Sequence, residues 1–257
     1  MSRSIGRLAD PQRRRGDGPP PGGPGTPPNE LPRCWQLFHE AVPHMDRLLL
    51  HGVSGTGKTL QALTAGLAEG QTAVYLVLTE ETPAAEIRGM FVPRDAGFAW
   101  QDGPAVVAWR TAGRLVLDEI DHASGDVLSL LMAITDGAAT ARLSLPTCEM
   151  VRPAPGFSVV ATMNGDPDHL PAALRDRFPV CLEIDAVHPD ALAALPPDLR
   201  AAAAATAVLP PARRLSVRAW LAFAELRPQV DERTAAEAVF GRARAGDVLD
   251  ALRLASA

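Results

Sequence analysis

Gly52-Val53-Ser54-Gly55-Thr56-Gly57-Lys58-Thr59 is the stretch that decides the fold of this chain. It satisfies G-x-x-x-x-G-K-[ST] at every fixed position, a pattern with mechanical content when a strand precedes it and a helix follows. Both flanks are present. Leu48-Leu49-Leu50 reads as a short buried strand, and a helical stretch runs from Lys58 to about Ala68. In such a turn the glycines let the backbone curl so that its N–H groups face inward, and the helix start adds its positive end. Lys58 is placed to reach the outer phosphates of a nucleotide and Thr59 to ligate Mg²⁺. The 25 basic residues of the chain are 24 arginines and this one lysine. Arginine is the default cation here, so a lone lysine marks a site that needs a compact point charge rather than a planar fork.

Working outward, Val74–Leu78, Leu115–Leu117, Ser158–Thr162 and Val180–Leu182 are further apolar runs separated by helical stretches. Continuous rather than alternating apolar character predicts strands covered on both faces, hence an α/β chain with a mainly parallel sheet and helices on both sides. The third run ends in Asp118-Glu119, sixty residues after Lys58. Acids at the carboxyl end of a parallel strand sit at the ligand crevice. Asp118 suits Mg²⁺ and Glu119 suits the polarising of an attacking water, with Asp121 in part a helix cap. The fourth run ends in Thr162-Met163-Asn164, which brings an amide beside Glu119 if that strand is central. Arg142–Leu145 and Cys148–Val151 flank Pro146-Thr147 as a small hairpin.

Composition closes off other classes. The chain has 257 residues and a net charge of −5; residues 1–33 carry +3, leaving −8 on the remainder. An acidic body argues against a nucleic-acid-binding protein. No apolar run approaches the length of a membrane span. Cys34, Cys148 and Cys181 are widely spaced, which excludes a disulfide scaffold or cysteine zinc site and points to a reducing, cytoplasmic setting. The six histidines show no ligand spacing. Residues 1–33, with 8 Pro and 6 Gly, read as a disordered Arg-containing tail, and no secretory leader is expected. Residues 34–188 form the expected nucleotide-binding domain, and the Ala-rich residues 189–257 a small helical domain.

Further motifs carry a resemblance. Thr79-Glu80-Glu81-Thr82 with Ile87-Arg88-Gly89, Trp100-Gln101-Asp102-Gly103-Pro104 with Ala108-Trp109-Arg110, Phe157 through Asn164, Asp176-Arg177-Phe178 and Ser216-Val217-Arg218 follow one another in order. Together they resemble AAA+ ATPases of the dynein-related and MoxR-like group, which includes the CbbQ, NorQ and GvpN types, over about residues 45–220. The resemblance implies a P-loop AAA+ core followed by a helical lid, with ATP and Mg²⁺ as ligands. It implies that Asn164 is sensor 1, that Arg177 or Arg175 is an arginine finger acting on a neighbouring subunit, and that Arg218 is sensor 2. It also implies a homo-oligomeric ring, often a hexamer, that remodels or activates a client protein, in this group a von Willebrand A domain protein or a metalloenzyme. Met90 and Phe91 fall where the group places an insert, or else pack inside a helix. Gly165-Asp166 stand where many relatives have Pro. A nucleic-acid motor of the restriction-translocase kind and a nucleotide-gated module with little turnover are the alternatives.

Overall fold

In the computed structural model, which describes residues 31–255 except 96, 208, 211 and 212, each of the five apolar runs becomes a strand of one parallel sheet. In chain order the first half holds α1 (Arg33–Ala41), β1 (Arg47–Gly52), α2 (Lys58–Thr64), β2 (Ala73–Val77), α3 (Ala84–Arg88), β3 (Gly89–Arg94), β4 (Gly97–Asp102), α4 (Pro104–Arg110) and β5 (Arg114–Asp118). The second half holds α5 (Gly125–Ile134), β6 (Leu143–Ser144), β7 (Met150–Val151), β8 (Ser158–Thr162), α6 (Ala172–Arg175), β9 (Val180–Ile184) and α7 (Pro189–Ala193). α8 (Pro197–Ala207), α9 (Val217–Leu226), α10 (Glu232–Phe240) and α11 (Arg242–Ala255) complete it.

The sheet order is β2-β5-β8-β1-β9. Every residue of β5 and β8 is buried, as their unbroken apolar character predicts. Leu117 pairs with Ala161 and Leu50 with Thr162, so the carboxyl ends of β5, β8 and β1 finish side by side. That register brings Asp118, Thr162 and the loop after Gly52 to one edge. One face of the sheet packs on α3, α4 and α5 through Trp109, Ile87 and Leu131. The other packs on α1 and α2 through Trp35, Phe38 and Ala62. A separate apolar cluster, from Val187 to Leu252 with Trp220 and Phe223 at its centre, unites the C-terminal helices. This is the P-loop AAA+ architecture with a helical lid that the resemblance implies.

Three expectations are corrected. α2 ends at Thr64 rather than about Ala68, because Ala65 turns to extended backbone and Gly66 adopts a positive φ of 61°. Leu31 is buried and α1 begins at Arg33, so packed structure starts inside the segment read as tail; residues 1–30 lie outside the described residues. The helix α1 itself carried no motif and escaped the sequence reading. Met90 and Phe91 do not pack inside a helix but lie exposed on β3, antiparallel to β4. The small hairpin is present as β6 and β7. Among the described residues no helix is long and apolar enough to cross a membrane.

Candidate functional site

The loop between β1 and α2 is built from backbone that only glycine adopts at ease. Gly52 has φ +119°, and a Cβ there would lie 2.7 Å from the Ile184 carbonyl oxygen. Gly57, at φ +104°, caps α2 in the left-handed region. The Thr56 hydroxyl donates to the Val53 carbonyl at 3.0 Å and is buried under the loop. Lys58, only 6% exposed, curls over it: its ammonium donates to the carbonyls of Gly52 (3.0 Å) and Val53 (2.7 Å) and to Asn164 Oδ1 (3.3 Å). Burial pushes that ammonium down to about 8, opposed by the nearby Asp118 and Asp121 and reinforced by Arg218. All three donors rest on uncharged oxygens, so phosphate oxygens are the stronger partners they lack.

Asp118 closes β5 and gathers hydroxyls. Thr59 donates to its Oδ1 at 2.9 Å, Thr162 donates to the same oxygen, and Tyr75 donates to Oδ2 at 2.8 Å. Glu119 follows with φ 57° and ψ 49°. A left-handed conformation is uncommon for a residue with a side chain, and such strain concentrates where a group must be aimed. Here the backbone turns sharply off the strand and leaves the Glu119 side chain on the wall of the crevice.

That crevice is a cavity of ≈ 550 Å³ between sheet edge and lid. Ser54, Gly55, Gly57, Lys58, Thr59, Asp118, Glu119, Asn164 and Arg218 all line it. Its far wall is apolar: Leu60 and Leu63 of α2, Ala191 and Ala194 at α7, Val217 and Leu221 of α9. One end suits an anion and the other a flat apolar group. Gly52 and Val53 line a neighbouring cavity of ≈ 890 Å³ that also borders Ser54 and Asn164. The lid sits directly on the loop. A Cβ at Gly55 would be 3.1 Å from that of Ser216, whose hydroxyl caps α9 by accepting from Ala219 N–H.

Arg175 and Arg177 are elsewhere. Arg177 donates to Asp136 at 2.7 Å and Arg175 pairs with Asp168, and neither borders the cavity that holds Lys58. Sequence reading missed Tyr75, Thr162 and the apolar wall. Thr162 stood within the quoted strand motif and could have been taken with Asn164. Tyr75 is the one tyrosine in the chain, but nothing in its strand marks it as polar-facing. The buried His188 behind the loop was also missed; its backbone N–H donates to the Thr56 carbonyl at 2.9 Å.

Comparison with known proteins places these residues in context. The family model described as AAA domain (dynein-related subfamily) matches residues 47–178. The protein NorQ of Paracoccus denitrificans is 30% identical over 160 residues, which cover 60% of this chain and 57% of that protein. Midasin of Dictyostelium discoideum is 32% identical over 152 residues, 56% of this chain and 2% of that protein. The protein CbbQ of Hydrogenophilus thermoluteolus is 27% identical over 129 residues, 50% of this chain and 48% of that protein. The chain thus spans about half the length of NorQ and CbbQ.

Proposed function

The chain belongs to the dynein-related subfamily of AAA domains, and from that premise we propose that it hydrolyses ATP as a ring of identical copies that remodels or activates a partner protein. One observation carries the reading. Lys58, Asp118, Glu119, Asn164 and Arg218 meet on a single cavity, whereas Arg177 and Arg175 stand outside it. A site complete but for its arginine finger is what a shared active site requires.

The roles follow from the chemistry of each group. Lys58 exchanges its backbone carbonyls for phosphate oxygens. The Thr59 hydroxyl and Asp118 carboxylate, hydrogen-bonded to each other, are adjacent hard oxygen donors that fit Mg²⁺. When bound, the ion neutralises charge on the phosphate oxygens. Glu119 accepts a hydrogen bond from the attacking water and draws its proton, and Asn164, close to Lys58, helps to hold that water in line. Arg218 brings the lid's charge over the same nucleotide. Arg177, or Arg175 in its place, serves the neighbouring copy. A ring of this kind works on a client; a von Willebrand A domain protein or a maturing metalloenzyme is the client class. The unpaired cysteines Cys34, Cys148 and Cys181 support a cytoplasmic setting.

The test is turnover. Wild type is expected to release phosphate from MgATP, while Glu119→Gln keeps the nucleotide bound and slows turnover by a factor of about 10² or more. Normal hydrolysis by Glu119→Gln would remove the acidic strand end from the mechanism. Stimulation of the wild type by DNA, falling steeply with salt, would favour the nucleic-acid motor instead. Tight binding without turnover would favour the gated module.

A further inference from the structure

Three hydroxyls from three separate elements hold the Asp118 carboxylate. Thr59 of α2 and Thr162 of β8 both donate to Oδ1, while among the described residues Tyr75 of β2 alone donates to Oδ2, at 2.8 Å. We propose that Tyr75 is a positioning residue for the divalent cation, its phenol fixing the Asp118 oxygen that the two threonines leave free and so keeping the carboxylate oriented toward the ion. The proposal rests on the reading of Thr59 and Asp118 as the pair that holds Mg²⁺.

The geometry requires a long side chain at this point. Tyr75 pairs with Val116, two residues before Asp118 on β5, so Tyr75 and Asp118 project from the same face of the sheet. The phenol must bridge one strand repeat, about 7 Å along the strand, to meet the carboxylate. β2 is an edge strand, and Tyr75 lines the nucleotide cavity rather than the core. Tyr75 is 45% exposed, so the ring is not needed to fill the interior. Thr59 can offer an oxygen lone pair to an ion while its single hydroxyl proton stays on Asp118 Oδ1. Asp118, 8% exposed, then has Thr59 and Thr162 on one oxygen and Tyr75 on the other.

Groups that orient a metal ligand typically carry 10–100-fold in metal affinity. With Thr162 still in place the lower end applies. The experiment is calorimetric titration of ADP at a series of free Mg²⁺ concentrations and in EDTA, for wild type and Tyr75→Phe, with far-UV circular dichroism to confirm the fold. Tyr75→Phe is expected to bind ADP like the wild type in EDTA but to need about tenfold more Mg²⁺ for half of the Mg²⁺-dependent gain. Thr162→Val, which removes one of the two donors to the other oxygen, is expected to shift the same midpoint in the same direction. An unshifted or tightened Mg²⁺ midpoint in folded Tyr75→Phe overturns the positioning role alone. Wild-type ADP affinity independent of Mg²⁺ overturns the Thr59–Asp118 reading and, with it, this one.

Discussion

Lys58 is the residue on which most depends, and its environment is unusual for a lysine. It is nearly buried, makes no direct ion pair among the described residues, and rests on two carbonyls and an amide oxygen. Burial weakens its hold on its proton, and a polyphosphate would restore it. Lys58→Ala is therefore expected to abolish ATP binding with the fold kept, since it removes a charge and no core packing. Lys58→Arg is expected to impair binding as well, because a planar five-donor fork does not fit where three ammonium protons meet three oxygens. Calorimetry with ATP decides both, and wild-type affinity in the arginine variant would sink the argument from the single lysine. At this scale the sequence was informative where chemistry coincides with a spaced pattern, as for Lys58, Thr59, Asp118 and Glu119. It was silent on Tyr75, whose role comes from strand register between β2 and β5, a property of the sheet rather than of any local window.

Among the elements, α2 is short and yet must hold the loop still, and the structure anchors both its ends. At the start, Thr59 bonds Asp118 of β5. At the finish, Arg114 of β5, 1% exposed, donates to the carbonyls of Ala62, Ala65 and Gly66, where the helix leaves acceptors without partners and its dipole favours a cation. The strand runs could be read from apolar content alone because β5 and β8 are buried on both faces. The β3–β4 hairpin could not, since its feet cross at Gly89 and Gly103, where a Cβ at either would lie about 2.5 Å from a backbone oxygen. The loop is also tied to the lid connection. His188 Nδ1 accepts from Asp190 N–H at 3.2 Å and faces the Gln61 amide at the same distance, which leaves the proton on Nε2, buried without a partner. His188 is lowered to about 4, chiefly by burial, with Asp190 opposing the shift and the neighbouring His39 adding to it. The unfolded chain, with an ordinary histidine near 6.5, takes up the proton first. Stability is thus complete above about pH 6.5, declines as pH falls toward 4, and levels off below. Thermal melts across this range are expected to show a smaller loss in His188→Asn, which can still cap α7; an equal loss would remove His188 from the acid response.

For the whole molecule, the decisive question is whether one chain contains a complete active site. The lid arginine does reach its own nucleotide cavity: Arg218 borders the same space as Lys58 and Asp118. Arg177 does not. It pairs with Asp136 at 2.7 Å, both side chains partly exposed, and an ion pair at such a surface is worth about 0–1 kcal/mol. An arginine finger contributes about 10³–10⁵ in rate, several kcal/mol, so the Asp136 contact is weak enough to be given up if Arg177 serves a neighbouring copy as proposed. Arg177→Ala is therefore expected to bind ATP normally and barely hydrolyse it, while Arg218→Ala weakens both. The sharper measurement mixes Arg177→Ala with Lys58→Ala chains, each inactive alone. In a closed ring every interface is head-to-tail, so a random equal mixture restores about one quarter of the sites, those pairing an intact Lys58 with a neighbour's intact Arg177. Recovered ATPase on mixing, rising with protein concentration, is the expected result and shows the site to be composite. No recovery, together with a monomeric wild type that turns over at a rate independent of its concentration, would refute the ring and return Arg177 to the role of a surface arginine held by Asp136.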